Sequence, residues 1–118
     1  MTNNARILIV DDEPEICLLL SKIIKKSHPE TVSVNTASAA LTAVEELKPS
    51  LIFLDISLPD GNGLDLLSKF TFRYPLMKVV MISAFDKYRN TAFSIGAYAF
   101  LSKPFTKSAV TDVLTLKS

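Results

Sequence analysis

Short apolar runs alternate with stretches of helical periodicity along this chain, and that alternation limits the fold more than any other feature. The runs are Ile7–Val10, Val32–Val34, Leu51–Leu54, Val79–Ile82 and Tyr98–Leu101. Between them, apolar residues recur three and four positions apart, the spacing of one helix face. Ile16, Leu19, Leu20, Ile23 and Ile24 mark a first helix, and Ala40, Ala43, Val44 and Leu47 a second. Leu66, Leu67 and Phe70 mark a third, Tyr88, Ala92 and Ile95 a fainter fourth, and Val110, Val113 and Leu114 a fifth. Ser38 and Thr106 stand where helix N-caps belong, and Pro14 suits a first turn. Repeated strand-then-helix units imply a parallel sheet covered on both faces. The first, third and fourth runs are continuously apolar, as central strands must be. The second is interrupted by Ser33 and suits an edge. The expected fold is therefore α/β: a doubly wound five-stranded parallel sheet, (βα)5, of order 2-1-3-4-5. Ligands are expected at the carboxyl ends of strands one and three.

The chain's 118 residues suffice for one compact domain, expected to span residues 1–118. A hydrophobic fraction of 48% against 21% charged places it among globular rather than disordered sequences. Thirteen basic residues nearly balance twelve acidic ones, and no basic stripe interleaves with aromatics, so no nucleic-acid surface is expected. Cys17 is the sole cysteine, which excludes an intramolecular disulfide and suggests a reducing compartment. It sits in an apolar helical stretch, as a small core residue would. Met1 to Arg6 is polar, and only four apolar residues follow before Asp11. That pattern fits neither a signal peptide nor a membrane span, and a cytoplasmic location is expected.

The chemistry-bearing residues fall where strands end. Asp11 and Asp12 follow the first run and Asp55 follows the third, so the expected order brings three carboxylates to one rim. Any one of them alone reads as a turn or cap residue. Together they would repel, because like charges disfavour joint ionisation. A hard cation such as Mg²⁺ resolves the repulsion, since it prefers carboxylate oxygens and keeps several waters. Ser83 closes the fourth run and Lys103 the fifth, with Pro104 and Phe105 restricting the backbone beyond the lysine. A nucleophilic carboxylate, metal ligands, a hydroxyl and a fixed cation are the parts phosphoryl transfer needs.

With these residues in place the sequence resembles the receiver domains of two-component response regulators, which share the flavodoxin-like sheet order. ILIVDDEP (7–14) resembles the family's first strand and acidic pair, and LIFLDISLPDGNG (51–63) its phosphoacceptor strand and following turn. MISAF (81–85) and GAYAFLSKPF (96–105) resemble the hydroxyl and lysine segments. The resemblance implies a phosphorylation-dependent switch in which Asp55 is the phosphoacceptor. It implies Mg²⁺ (or Mn²⁺) bound by Asp11, Asp12, Asp55 and the backbone carbonyl of Ser57. Ser83 would hydrogen-bond the phosphoryl group, Lys103 would pair with it, and Phe100 would be the aromatic switch residue. The Lys103–Pro104 peptide is expected to be cis. Serine stands at 83 where threonine is commonest, and phenylalanine at 100 where tyrosine is commonest. The implied donor is a histidine kinase or histidine phosphotransfer protein. The implied recipient is an output domain or downstream protein, reached through the surface of the fourth helix, fifth strand and fifth helix. The chain would catalyse its own phosphoryl transfer and dephosphorylation without being a turnover enzyme.

Three other readings fit less well. A hydrolase of the haloacid dehalogenase type needs a general-acid Asp two residues after its nucleophile, and position 57 is Ser. A flavodoxin-like cofactor binder needs a donor-rich loop after strand one, where Asp11 and Asp12 stand. A degenerate receiver would lack part of the five-residue constellation, and none is missing. Gly61 and Gly63 flank Asn62 in an expected turn, with no phosphate-cradling glycine pattern. His28, the only histidine, lies in a polar stretch before Pro29 with no visible catalytic partner.

Overall fold

The computed structural model describes residues 6–116. Its elements run in strict alternation: β1 (Ile7–Val10), α1 (Pro14–Ile24), β2 (Thr31–Val34), α2 (Ala37–Leu47), β3 (Leu51–Asp55), α3 (Gly63–Arg73), β4 (Lys78–Ser83), α4 (Arg89–Ile95), β5 (Ala99–Ser102) and α5 (Lys107–Thr115). The sheet order is β2-β1-β3-β4-β5, with every neighbouring pair parallel. The expected doubly wound architecture is what forms. The central strands β1, β3 and β4 are continuously apolar, because both of their faces are covered; the edge strand β5 is apolar too, with Ala99, Phe100 and Leu101 all buried.

Alternation along the strands divides the core in two. Leu8, Val10, Ile52, Leu54, Val79 and Met81 face Ala40 and Val44 of α2, Leu67 and Phe70 of α3, and Ala92 of α4. Ile7, Ile9, Phe53, Val80 and Ile82 face Leu20 and Ile24 of α1 and Val110 of α5. Each fully buried aliphatic side chain contributes about 1.5–3 kcal/mol of transfer free energy. Two such layers therefore fix the register of a sheet whose one-residue slip would turn every strand inside out. At the edge, β2 pairs only with β1, and its Val32 is 42% exposed. Its position follows the expectation, but Thr31 rather than Val32 is the buried residue.

Helix starts were partly legible. Pro14 begins α1, and the Thr106 hydroxyl accepts from Ala109 N at 3.0 Å to cap α5. The α2 cap is Thr36 rather than Ser38: its hydroxyl accepts from Ala39 N at 3.0 Å, and its extended backbone admits the helix at Ala37. The turn expected around Gly61–Gly63 is more ordered than that. Ser57–Leu58 and Gly61–Asn62 form a two-residue antiparallel ribbon, and Asn62 then caps α3 through Leu64 N at 2.7 Å. The faint fourth helix is short, preceded by a 3-10 turn at Asp86–Tyr88 and stopped by Gly96 at φ +131.

Candidate functional site

In parallel register Val10 pairs with Leu54, so Asp11, just past β1, and Asp55, the last residue of β3, stand side by side at the carboxyl end of the sheet. Asp11 is fully buried and Asp55 is 4% exposed. The Asp11 carboxylate accepts from Glu13 N at 2.9 Å, and Asp55 accepts from Ser57 N at 3.2 Å. Each acidic loop thereby turns back on its own carboxylate. Asp11, Asp12, Glu13 and Asp55 each offer an oxygen within 4.8 Å of the others. Asp12, Glu13 and Asp55 border an open depression of about 610 Å³, lined also by Ser57, Ala84, Phe85 and Lys103, with Asp11 buried behind it.

Lys103 follows β5, and its N–H donates to Ser83 O at 2.8 Å. From there its ammonium reaches Asp11 Oδ2 at 3.0 Å and Asp55 Oδ2 at 3.1 Å, and also pairs with Glu13. The Lys103–Pro104 peptide is cis, as the resemblance implies. Burial works against the lysine's charge, but hydrogen bonds to Glu13 and Asp11 and the charges of Asp55 and Asp11 outweigh it and hold the pKa above its ordinary value. Burial raises the Asp11 pKa despite the hydrogen bond from Glu13 N and the charge of Lys103. Burial, reinforced by the Asp11 charge, pushes Asp55 up to about 6 against the pull of Lys103. One cation therefore does not neutralise this cluster. Asp11 Oδ2 is buried with the Lys103 ammonium 3.0 Å away as its sole partner, a contact whose angle is poor for a hydrogen bond. A buried, under-satisfied carboxylate oxygen among other hard oxygen donors is what a divalent cation of the Mg²⁺ kind would complete.

Ser83 ends β4 and is 2% exposed. Its hydroxyl turns into the following loop, accepting from Phe85 N at 2.9 Å and lying 3.3 Å from Phe85 O. Phe100 on β5 is 7% exposed, and the Arg89 guanidinium lies 4.8 Å from its ring centroid. Arg89 is held there by Asp86 at 3.0 Å and by Ser102 at 3.3 Å. In this structure the ring lies in its inward, buried position.

Cys17 is a buried core residue as expected: its thiol donates to Asp11 O at 3.2 Å, and burial pushes its pKa up. His28 lies at the opposite end of the sheet, beside Ile7 and Leu51, with Ser27 Oγ 2.8 Å from its ring. Glu13, Asn35 and Asp60 were not singled out in the sequence. Glu13 joins the acidic cluster, and its place beside Asp11–Asp12 was the available signal. The contacts of Asn35 and Asp60 cross more than twenty residues of chain and carry no local signature.

The response regulator receiver domain family matches residues 7–115. The chain is a receiver domain of that family. It is 39% identical over 111 residues to the sensory transduction protein LytT of Enterococcus faecalis, covering 92% of this chain and 46% of that protein. The chain thus spans about half the length of that relative. It is 33% identical to the chemotaxis protein CheY of Thermotoga maritima, covering 92% of this chain and 93% of CheY. The crystal structure of the NtrX receiver domain from Brucella abortus superposes with a TM-score of 0.85 at 37% identity, covering 92% and 93% of the two chains. A receiver domain is the phospho-accepting switch of two-component signalling, and this chain has that fold with an acidic pocket at the carboxyl end of its sheet. Among the described residues, no helix is long and apolar enough to cross a membrane.

Proposed function

We propose that Asp55 is the residue phosphorylated, with Asp11, Asp12, Asp55 and the Ser57 backbone carbonyl holding Mg²⁺ (or Mn²⁺) beside it. The observation that carries this reading is the meeting of Asp55, Asp11 and Lys103, with Asp11 Oδ2 left unsatisfied. Bound Mg²⁺ would offset the crowded carboxylates and the charge on the phosphoryl oxygens. The remaining work falls to the chain. With a pKa of about 6 before any cation binds, Asp55 is mostly ionised at neutral pH and available to attack. One of its oxygens bonds to phosphorus as the donor's P–N or P–O bond breaks, and the leaving group keeps that electron pair. Lys103, 3.1 Å from Asp55 Oδ2, then pairs with the phosphoryl group. The Ser83 hydroxyl leaves Phe85 and donates to a phosphoryl oxygen.

That last step links the site to the surface of α4, β5 and α5. Moving Ser83 releases the loop leading to Asp86, and Asp86 positions Arg89 over Phe100. Phe100 is the aromatic switch residue on that surface, and the Arg89 guanidinium over its ring moves with it. The donor is a histidine kinase or histidine phosphotransfer protein, and the recipient an output domain or downstream protein. Residues 1–118 form the receiver unit, which acts in the cytoplasm, does not itself bind nucleic acid, and loses its phosphoryl group by self-catalysed hydrolysis. Intact-mass measurement after incubation with acetyl phosphate tests the reading. One phosphoryl group should be gained with Mg²⁺, and none with a chelator or in Asp55→Asn. Equal labelling of Asp55→Asn would refute Asp55 as the acceptor.

A further inference from the structure

The acidic pocket is built from two separate loops. One carries Asp11 and Asp12 after β1, the other begins at Asp55, the last residue of β3, and continues through Ser57. Both are tied to a single stretch, Asn35–Ser38, where β2 passes into α2. On one side, Asn35 Nδ2 donates to Asp11 O at 3.0 Å, while Asp11 N donates to Val34 O at 3.2 Å. The Asp11 peptide is thus gripped from both directions. On the other side, the Asp60 carboxylate accepts from Ala37 N at 2.7 Å and Ser38 N at 3.1 Å. Asp60 sits in the tight turn between Leu58 and Gly61, so it carries the Ser57–Asn62 ribbon with it. Gly61 lets the ribbon come close, since a Cβ there would lie 3.0 Å from Ala37 Cβ.

The Asp60 bonds also complete the start of α2, whose first amides have no acceptor within the helix. Thr36 already caps the helix through Ala39 N, and Asp60 takes the two amides ahead of it. A carboxylate at a helix N-terminus is favoured by the aligned peptide dipoles. The two backbone hydrogen bonds hold the Asp60 pKa below the ordinary carboxylate value.

We propose that Asn35 and Asp60 are positioning residues that set the spacing between the two halves of the metal pocket, with the start of α2 as the rigid spacer. The proposal rests on the reading that the acidic cluster binds a divalent cation. Mg²⁺ demands near-ideal octahedral geometry with short bonds, whereas Ca²⁺ accepts longer and more variable ones. Loosening the brace should therefore harm Mg²⁺ more than Ca²⁺. A loss of negative charge alone would weaken both alike.

The test is calorimetric titration of the full chain with Mg²⁺ and with Ca²⁺ at neutral pH and fixed ionic strength. The chain has no tryptophan to report binding optically. Asp60→Ala should weaken Mg²⁺ about tenfold, the scale seen when groups that orient metal ligands are removed, and weaken Ca²⁺ much less. Asp60→Asn keeps an oxygen acceptor and should recover most of the Mg²⁺ affinity. Asn35→Ala loosens the other half and should lower the Mg²⁺ to Ca²⁺ preference in the same direction. It carries the test if Asp60→Ala does not fold. Parental Mg²⁺ affinity in folded Asp60→Ala or Asn35→Ala, or equal losses for the two ions, would overturn the brace. Failure of the parent chain itself to bind Mg²⁺ would instead overturn the metal site on which the brace depends.

Discussion

Lys103 carries the electrostatics of the site almost alone. Its ammonium meets Asp11, Asp55 and Glu13, and its side chain is 13% exposed. Removing one partner from a buried charge cluster costs about 3–5 kcal/mol, because the remaining charges lose their compensation. Lys103→Ala should lower the metal-free stability by about 3 kcal/mol, and Mg²⁺ should restore part of it by binding the folded state. Unchanged chelator-treated denaturation curves would contradict this. Asp12→Asn should do the opposite, raising the metal-free melting temperature while abolishing stabilisation by Mg²⁺. Full stabilisation of that variant by Mg²⁺ would remove Asp12 from the site. Asp55 adds a pH signature. Its folded-state pKa of about 6 lies above the ordinary 3.8, so the folded protein holds this proton more tightly than the unfolded chain does. The resulting stabilisation is complete below about pH 4 and lost as pH rises through about 6. In chelator, thermal unfolding of the parent should show that decline between pH 4 and 6, and Asp55→Asn should flatten it. Parallel pH profiles would mean that Asp55 is not strained by burial. Asp11, Asp12, Asp55, Ser83 and Lys103 were legible because each stands at the end of an apolar run. Phe100 was legible as a residue but not as a conformation, since only the folded structure shows Arg89 lying over its ring.

At the scale of elements, the passage from β3 to α3 is tightly constrained at Gly63. Gly63 N donates to Ile56 O at 2.7 Å, and a Cβ on Gly63 would lie 2.2 Å from Asp55 O and 2.7 Å from Ile56 Cα. The obstruction is backbone, which cannot swing aside as a side chain can. Gly63→Ala should therefore cost more than about 2 kcal/mol, at or above the usual range for overpacking. It should also slow phosphorylation of the chains that remain folded, by displacing Asp55. Denaturant unfolding alongside the phosphorylation rate checks both effects, and a parental rate in the variant would show that the contact is not transmitted to Asp55. The sequence showed glycines here and suggested a turn. It did not show the ribbon or why glycine is required, because the clash involves a backbone seven and eight residues away that only the fold brings near. The α2 boundary escaped for a related reason. Thr36 and Ser38 are both capping residues, and the choice between them depends on where Asp60 docks.

For the whole molecule, strand order was readable because repeated strand–helix units imply a doubly wound parallel sheet and the interrupted second run marks one edge; the apolar fifth run gave no sign of its edge position. What the sequence could not supply was the state of the path between Asp55 and the α4–β5–α5 surface. The proposed path runs from the Ser83 hydroxyl through the Phe85 loop to Asp86, Arg89 and the Phe100 ring, which are in contact in that order. Ser83→Ala should keep some phosphorylation yet fail to transmit it. With a phosphoryl mimic bound, NMR shifts across residues 86–116 should then move much less than in the parent, and parental shifts would mean that the hydroxyl is not the relay. Everything downstream depends on which carboxylate takes the phosphoryl group, and chemical trapping addresses that directly. Borohydride reduces an aspartyl phosphate to homoserine, which peptide mass spectrometry can place in the chain. After reaction with acetyl phosphate and Mg²⁺, homoserine should appear at position 55; homoserine at position 11, 12 or 60, or its absence from a protein that has gained phosphoryl mass, would contradict the assignment.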